Sequence, residues 1–267
     1  GMLGSRAGWV WCVSCCFLSC GLLTNGMVLL AIETATHTCG AALSIDGVVV
    51  ADAHMHRPRA HARHLTPLIE EAMARAEVRR DEIDVVAVSK GPGSYTGLRI
   101  GVSTAKGWAE AVGADVIGVP TLEALAATVS PYAGEGDIVC AALDARRDEI
   151  YGAAYRIRGD SRTEDADDTG PVSRLTIQAA AAAMEVSHVP DWLGAAGNRV
   201  WLLGTGAEKT ESALASAGVR VTRLAAEASR PSAAWVARCA VERIRRDQKP
   251  EPSTFEPMYL KAFHAGG

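Results

Sequence analysis

The stretch of the chain with the clearest chemical potential is the glycine-rich segment at residues 90–101. It lies between an apolar run at residues 83–88 and a run with helical spacing, which predicts a strand, a tight turn and a helix start. Glycines allow close backbone approach, a hydroxyl can cap the helix, and the free amides of a first helical turn bind anions. The segment therefore predicts either a phosphate or nucleotide site or a structural turn that binds nothing. The candidate phosphate loop consists of Gly91, Gly93, Ser94 and Thr96.

Other residue patterns offer little further chemistry. His61 and His64 lie three residues apart on a predicted helix and can share a metal ion, but the sequence offers no third ligand nearby. The chain contains neither the His-Glu-x-x-His pattern of metalloproteases nor the Gly-x-Ser-x-Gly pattern of hydrolases. No metal site and no catalytic residue is therefore predicted.

A stripe of very small side chains follows the glycine turn. Gly97, Gly101, Ala105 and Ala109 recur every four residues, so they share one face of the predicted helix 97–112. Such a face lets a second helix approach closely, whereas a face that packs on a sheet usually carries Leu, Ile and Val. We therefore predict an exposed partner interface rather than packing on the chain's own sheet. The remaining predicted interface residues lie on helix 61–76 and are His61, Leu65, Leu68, Ile69 and Met73.

The composition is that of a globular protein. Of the 267 residues, 48% are hydrophobic and 22% are charged, which is sufficient for two modest cores. The formal net charge of −4 argues against a chain that supplies the main nucleic-acid surface, although it is compatible with a local basic patch.

Residues 1–26 differ from the rest of the chain. The apolar run at residues 9–23 contains four of the seven cysteines, without the second ligand pair that a zinc site needs. It is short for a membrane span and has no clear signal-peptide cleavage site. We predict an N-terminal extension outside the fold, with Met27 as the functional start. The isolated Cys39, Cys140 and Cys239 are predicted to be reduced, as in a cytosolic protein.

Hydrophobic periodicity predicts alternating strands and helices from Met27 onward, with an acidic exposed loop at residues 159–170. Strands are predicted at residues 27–34, 39–45, 48–54, 83–89, 114–119, 138–144, 149–157, 200–204 and 219–222. Helices are predicted at residues 60–77, 97–112, 121–130, 176–185, 207–217 and 232–246.

This order of elements repeats a ribonuclease-H-like unit twice. We predict an α/β fold of two tandem ribonuclease-H-like subdomains, as in actin-like ATPases and sugar kinases, with the second one reduced. The first subdomain comprises residues 27–130 and is completed by helix 232–246. The second comprises residues 131–231, and residues 247–267 form a tail.

Several motifs resemble one protein family. The glycine segment 91–101 is the most specific of them, and the resemblance extends from Met27 to Leu260. The supporting motifs are Ile32-Glu33-Thr34, His61-Ala62-Arg63-His64-Leu65, Asp144-Ala145-Arg146-Arg147 and Glu256-Pro257-Met258-Tyr259-Leu260. Together they resemble the TsaB (YeaZ) family. The resemblance implies a non-catalytic relative of TsaD that joins TsaD and the ATPase TsaE to place threonylcarbamoyl on an adenosine beside the tRNA anticodon, with tRNA bound only through the complex.

Two comparisons with the wider superfamily bear on catalysis. The catalytic relative carries two metal-binding histidines four residues apart, and Thr121 and Leu125 occupy those positions here; Leu125 offers no donor atom. Active members also use a carboxylate at the position of Glu33 to hold magnesium through water, with Asp144 as its counterpart in the second unit. Glu33 therefore joins the candidate phosphate loop.

Two classes of function stay open. The first is a scaffold that binds TsaD and TsaE, that pairs with its own copy in a four-helix homodimer when alone, and that has ATP or ADP as the candidate ligand at the partner interface. The alternative is an ATP-dependent enzyme of the actin-like or sugar-kinase type. In either case we expect a cytoplasmic chain that does not associate with a membrane.

Overall fold

The computed structural model describes residues 26–159, 172–194 and 198–261. The cysteine-containing extension up to residue 25, most of the predicted acidic loop and the end of the tail lie outside the described residues. The described residues form two five-stranded sheets with helices packed on both faces of each. The prediction of an α/β chain with two subdomains is confirmed. None of the helices in the described ranges has the length and apolar character needed to cross a membrane.

The first sheet is built from the N-terminal part of the chain. Its elements are β1 (Val28–Glu33), β2 (Thr38–Ile45), β3 (Val48–His56), α1 (His61–Ala76), β4 (Val85–Gly91), α2 (Tyr95–Val112), β5 (Asp115–Pro120) and α3 (Thr121–Ala127). The strand order is β3-β2-β1-β4-β5. Strand β1 pairs antiparallel with β2 and parallel with β4, and β4 pairs parallel with β5.

The second sheet repeats this plan with fewer helices. Its elements are β6 (Ile138–Asp144), β7 (Glu149–Ile157), β8 (Leu175–Glu185), α4 (Val189–Leu193), β9 (Arg199–Leu203), α5 (Ala207–Ser216) and β10 (Arg220–Arg223), and α6 (Ala233–Arg245) follows. The strand order is β10-β9-β6-β7-β8. Strand β6 has the same central place as β1, antiparallel to the next strand of the chain and parallel to β9.

Alternation along β1 explains how the first sheet is covered. Leu30 and Ile32 pack under α1 and α2, whereas Leu29 and Ala31 pack against α3 and α6. Successive side chains of a strand point to opposite faces, so a strand that is apolar throughout is buried on both sides. Helix α6 thus packs on the first sheet although it follows the second, and α3 also packs on the second sheet.

The prediction of an alanine-rich helix at residues 176–185 is wrong. These residues belong to β8, which pairs antiparallel with β7 at the edge of the second sheet. Alanine is the strongest helix former, but intrinsic propensity is a weak preference that tertiary pairing overrides. Two register shifts let the 11 residues of β8 follow the nine residues of β7.

The small-residue stripe of α2 is packed inside the chain, so the prediction that it is an exposed partner face is wrong. Gly97, Gly101, Ala105 and Ala109 are all buried. A Cβ atom at Gly97 would overlap the carbonyl oxygen of Thr34, and one at Gly101 would overlap its hydroxyl oxygen. The stripe is needed because α2 crosses the end of β1 too closely for larger side chains.

The predicted interface residues of α1 are buried as well. Leu65, Leu68, Ile69 and Met73 belong to the core between α1, α2 and the first sheet. His61 is 7% exposed, and the Nε2 atom of its ring donates to a main-chain oxygen of β2. These side chains therefore stabilise the chain's own fold, and any partner of the two helices must contact their outward sides.

Two glycines of α2 provide a direct test of this packing. We expect Gly97→Ala to lower the free energy of unfolding by about 2 kcal/mol, since the added methyl group has no space. Gly107→Ala is the matched control, because a Cβ atom there meets nothing within 4 Å. That variant should be about 1 kcal/mol more stable, since alanine is the better helix former. Urea denaturation of both variants checks the pair, and equal effects would contradict it.

Candidate functional site

The candidate site is a cleft between the two subdomains, with a volume of about 620 Å³. It is lined by residues 35–37 and 92–96 of the first subdomain and by residues 143–147 of the second, with the C-terminal segment 258–261 along one side. The first two stretches follow β1 and β4, and the third comprises the end of β6 and the loop after it. Ligands of open α/β sheets bind at such strand ends, where several loops converge.

The glycine turn of the first subdomain is held by contacts within the chain. The Ser94 amide donates to the Ala35 carbonyl oxygen at 2.7 Å, and a Cβ atom at Gly93 would overlap that same oxygen. Gly91 has a φ of 116°, and a Cβ atom there would overlap the Met258 carbonyl oxygen. Packing therefore accounts for both glycines without a bound phosphate.

The candidate phosphate loop is only partly brought to the cleft. Gly93, Ser94 and Thr96 line it, whereas Gly91 and Glu33 do not. Ser94 also caps α2, since its hydroxyl oxygen accepts from the Gly97 amide at 3.3 Å.

Glu33 lies fully buried at the end of β1. Its carboxylate accepts from the Ala35 amide at 2.6 Å and from the Ser89 hydroxyl. Burial raises the pKa of Glu33 to about 7, although the Ser89 and backbone hydrogen bonds oppose that rise. The carboxyl group thus joins the loop after β1 to β4.

Asp144 holds the corresponding position in the second subdomain but is exposed to solvent. It forms an ion pair with Lys209 at 2.5 Å, and its carboxylate accepts from the Arg146 amide at 3.0 Å. Partial burial acts to raise the pKa of Asp144, but the Lys209 hydrogen bond, the Arg146 amide and the nearby positive charges lower it overall. The two predicted carboxylates therefore differ: one is buried beside the cleft, and the other is ion-paired at its edge.

Arg146 and Arg147 form the tip of the loop between β6 and β7. Both lie at the cleft with φ angles of 68° and 50°. Residues other than glycine and asparagine rarely adopt this left-handed conformation, which costs roughly 1 kcal/mol or more each. Both arginines belong to the motif Asp144-Ala145-Arg146-Arg147, but the sequence alone assigns them no role.

The C-terminal segment is anchored on the first subdomain, although the sequence predicts it only as a tail. The Glu251 amide donates to the Val116 carbonyl oxygen at 2.8 Å, and its carboxylate pairs with Lys90 at 3.1 Å. Phe255 is buried in the core under α1 and α2. The Met258 amide then donates to the Lys90 carbonyl oxygen at 2.6 Å. Residues 251–258 therefore cover the free edge of β5 and the end of β4.

The same segment continues across the cleft. The ring of Tyr259 packs on Tyr95 of the first subdomain, with ring centres 4.9 Å apart. Lys261 then reaches the second subdomain, where it donates to the Ala145 carbonyl oxygen at 3.2 Å and pairs with Glu149. The C-terminal segment thus joins the two sides of the cleft.

The remaining candidate positions lie away from the cleft. Burial lowers the pKa of His61, against the opposing effect of its hydrogen bond to Thr38. Thr121 and Leu125, the positions matched to metal ligands, are fully buried in the core around α3. Within residues 26–159, 172–194 and 198–261, no three His, Cys, Asp or Glu side chains are grouped so as to hold a metal ion.

Known proteins match this chain in sequence. The TsaB protein of tRNA threonylcarbamoyladenosine biosynthesis from Escherichia coli is 37% identical over 49% of this chain and 55% of its own length. The Bacillus subtilis protein of the same name is 32% identical over 49% of this chain and 56% of its own length. The family model described as TsaD, tRNA N6-adenosine threonylcarbamoyltransferase, matches residues 44–265. The chain belongs to the family of TsaD and TsaB (YeaZ) proteins.

Solved structures of similar fold match most of the chain. A Pseudomonas aeruginosa protein with similarity to peptidase YeaZ is 26% identical, with a TM-score of 0.73, covering 88% of this chain and 100% of its own. YeaZ from Pseudomonas aeruginosa gives the same coverage at 24% identity, with a TM-score of 0.69, and supports the fold alone. The chain spans about half the length of the curated TsaB relatives that it matches.

Glu33 gives the pH dependence of stability a definite sign. Its folded pKa of about 7 lies above its ordinary value of 4.5, so the folded chain binds the extra proton between these values. The stability contributed by the neutral carboxyl is complete below pH 4.5 and is lost as the pH rises through 7. We expect Glu33→Gln to remove this loss. Between pH 4.5 and 8 the free energy of unfolding of the variant should therefore fall by about 3 kcal/mol less than that of the unmodified chain.

Denaturant unfolding of both proteins across this pH range measures the difference, because the other titrating groups are common to the two. Parallel pH profiles would show that Glu33 titrates normally in the folded chain.

Proposed function

We propose that the chain is a non-catalytic subunit of a complex that forms threonylcarbamoyladenosine in tRNA, and that it binds a TsaD subunit and TsaE. The TsaB names of its relatives support this role. The family model and the YeaZ-like fold over 88% of the chain support it further. The chain's task in this proposal is to hold its partners in place rather than to carry out the transfer.

The observation that carries the proposal is the outward side of α2. Ser103, Gly107 and Ala111 recur every four residues and are exposed. A glycine inside a helix costs about 1 kcal/mol relative to alanine. At Gly107 the chain's own fold does not need the small size, since a Cβ atom would meet nothing within 4 Å. Close approach by a helix of another subunit gives this glycine a use.

The proposed partner surface is therefore the side of α2 opposite the buried stripe, together with the exposed side of α1. We propose TsaD as its occupant in the complex and a second copy of this chain when TsaD is absent. A surface that pairs with itself closes most simply about a two-fold axis.

The alternative, an ATP-dependent enzyme, is favoured mainly by the predicted phosphate-binding turn, and the packing of that turn weakens the case for it. Its predicted phosphate cradle is the turn at Gly93 and Ser94, and both residues contact Ala35 of the same chain. The position matched to the second metal-binding histidine is Leu125, a fully buried apolar side chain.

Reconstitution tests the proposed role. The assay is run with this chain present or omitted. Every reaction contains TsaD, TsaE, ATP, threonine, bicarbonate, the enzyme that supplies the activated threonylcarbamoyl group, and unmodified tRNA. We expect threonylcarbamoyladenosine in the tRNA only when the chain is present, and no product from the chain without TsaD. Equal product in its absence would refute the subunit role.

Gly107→Trp tests the surface. We expect it to weaken TsaD binding at least tenfold, about 1.4 kcal/mol, and to dissociate the homodimer, because a large side chain keeps the partner helix away. The fold should be unaffected, since the position is open. Gly107→Ala is the control that adds only a methyl group. Calorimetric titration with TsaD and light scattering measure both effects, and a Trp variant that binds normally would exclude this side of α2.

A further inference from the structure

Two positive charges at the cleft lack a partner within the described part of the chain. Arg146 and Arg147 are both exposed, and neither guanidinium forms a hydrogen bond or an ion pair with a described residue. The charge of the Arg146 guanidinium lowers the pKa of Asp144 without an ion pair, while the Arg146 amide donates to that carboxylate. An exposed arginine needs no partner, so this observation alone does not define a site.

The backbone of the same two residues adds an independent observation. Both hold positive φ angles, at positions where glycine or asparagine would be more stable. The loop is nevertheless fixed: the Arg147 carbonyl oxygen accepts from Lys209 at 3.0 Å, and the Arg146 carbonyl oxygen accepts from the Glu149 amide at 3.2 Å. The fold thus holds two arginines in a backbone conformation that suits glycine or asparagine better, and no described residue pairs with either guanidinium, so both are available to a ligand.

The charge balance of the cleft favours an anion. The acidic groups on its walls are Asp144 and Glu149, and Lys209 and Lys261 neutralise them. Arg146 and Arg147 therefore leave the cleft positive, although the whole chain carries a net charge of −4. Asp148 is exposed beside the two arginines but does not line the cleft.

The opposite wall offers aromatic surfaces. Tyr95 and Tyr259 pack against each other there, and Tyr151 lies on the side of the second subdomain. Aromatic rings beside arginines suit unpaired bases of RNA, which stack on rings while cations hold the phosphates. A free nucleotide fits less well, because the turn expected to hold its phosphates is packed against Ala35.

We propose that Arg146 and Arg147 bind phosphodiester groups of an RNA loop at this cleft. The choice of RNA rests on the proposed function, in which the complex acts on tRNA. The inference adds a direct RNA contact by this chain, whereas the sequence predicts that tRNA is bound only through the complex.

The test uses the full chain and a fluorescein-labelled tRNA anticodon stem-loop, with anisotropy measured over a salt series. Arg146→Asn/Arg147→Gly removes both charges and supplies residues that suit positive φ. We expect its melting temperature to equal or exceed that of the unmodified chain, while RNA binding falls. Loss of two phosphate contacts should reduce the steepness of the plot of log affinity against log salt concentration by about 1.4. The loss of RNA affinity should therefore be roughly 25-fold larger at 0.1 M salt than at 1 M salt.

A control variant separates the site from the total charge. Arg220→Gln/Arg245→Gln removes two exposed arginines elsewhere and should leave RNA binding within about twofold of the unmodified chain. If the Asn/Gly variant melts earlier, Arg146→Gln/Arg147→Gln replaces it as the test of binding.

The proposal is overturned if the loop variants bind RNA as tightly as the unmodified chain, or if the control variant loses as much affinity as they do. It is also overturned if the arginines are needed for binding ATP but not RNA. Co-purification with TsaD and TsaE distinguishes the two proposals: a loop variant that still assembles but binds RNA normally refutes only the RNA contact. Failure of the unmodified chain to assemble refutes the proposed function.

Discussion

The close approach of α2 to the end of β1 is the contact on which the rest of the structure depends. Gly93 and Gly97 bring the turn and the helix start against the backbone of Ala35 and Thr34, and Gly101 lies against the Thr34 side chain, with no space for a Cβ atom at any of the three glycines. Because protein interiors are packed as densely as crystals, such a contact fixes position to a fraction of an ångström. It sets the first wall of the cleft, and it fixes which side of α2 faces outward.

The second constraint is the link across the cleft. Two subdomains that each have their own core can move against each other unless their interface is extensive. Here α3 packs on both sheets, and the C-terminal segment runs from the buried Phe255 to Lys261 on the far wall. The link is firm at the first subdomain, where Phe255 is buried, and ends at the second in a half-buried lysine. One link between the walls of the cleft is therefore a segment that the sequence predicts only as a tail.

Much of this fold follows from the sequence, for identifiable reasons. The central strands are runs of β-branched and apolar residues, so periodicity finds them, and the glycine turn is recognised by its spacing. The prediction for residues 176–185 is wrong because alanine favours a helix in isolation, whereas the pairing with β7 is a long-range contact that periodicity does not detect. Less of the candidate site can be predicted from the sequence. The importance of Arg146 and Arg147 depends on their φ angles and on which neighbouring charges are already paired, and neither can be read from residue types.

The stripe on α2 shows most clearly where sequence reasoning stops. Spacing of four correctly identifies Gly97, Gly101, Ala105 and Ala109 as a face of close approach, but it does not say what approaches. In the structure, the element that approaches this face is the end of β1. Residues advance by 100° around a helix, so Gly107, two positions beyond Ala105, lies about 200° away on the opposite side. That side carries a second series of small, exposed residues, Ser103, Gly107 and Ala111, and a Cβ atom at Gly107 would meet no described atom within 4 Å. Both sides of α2 thus carry small residues spaced four apart, and only the structure distinguishes the buried side from the exposed one.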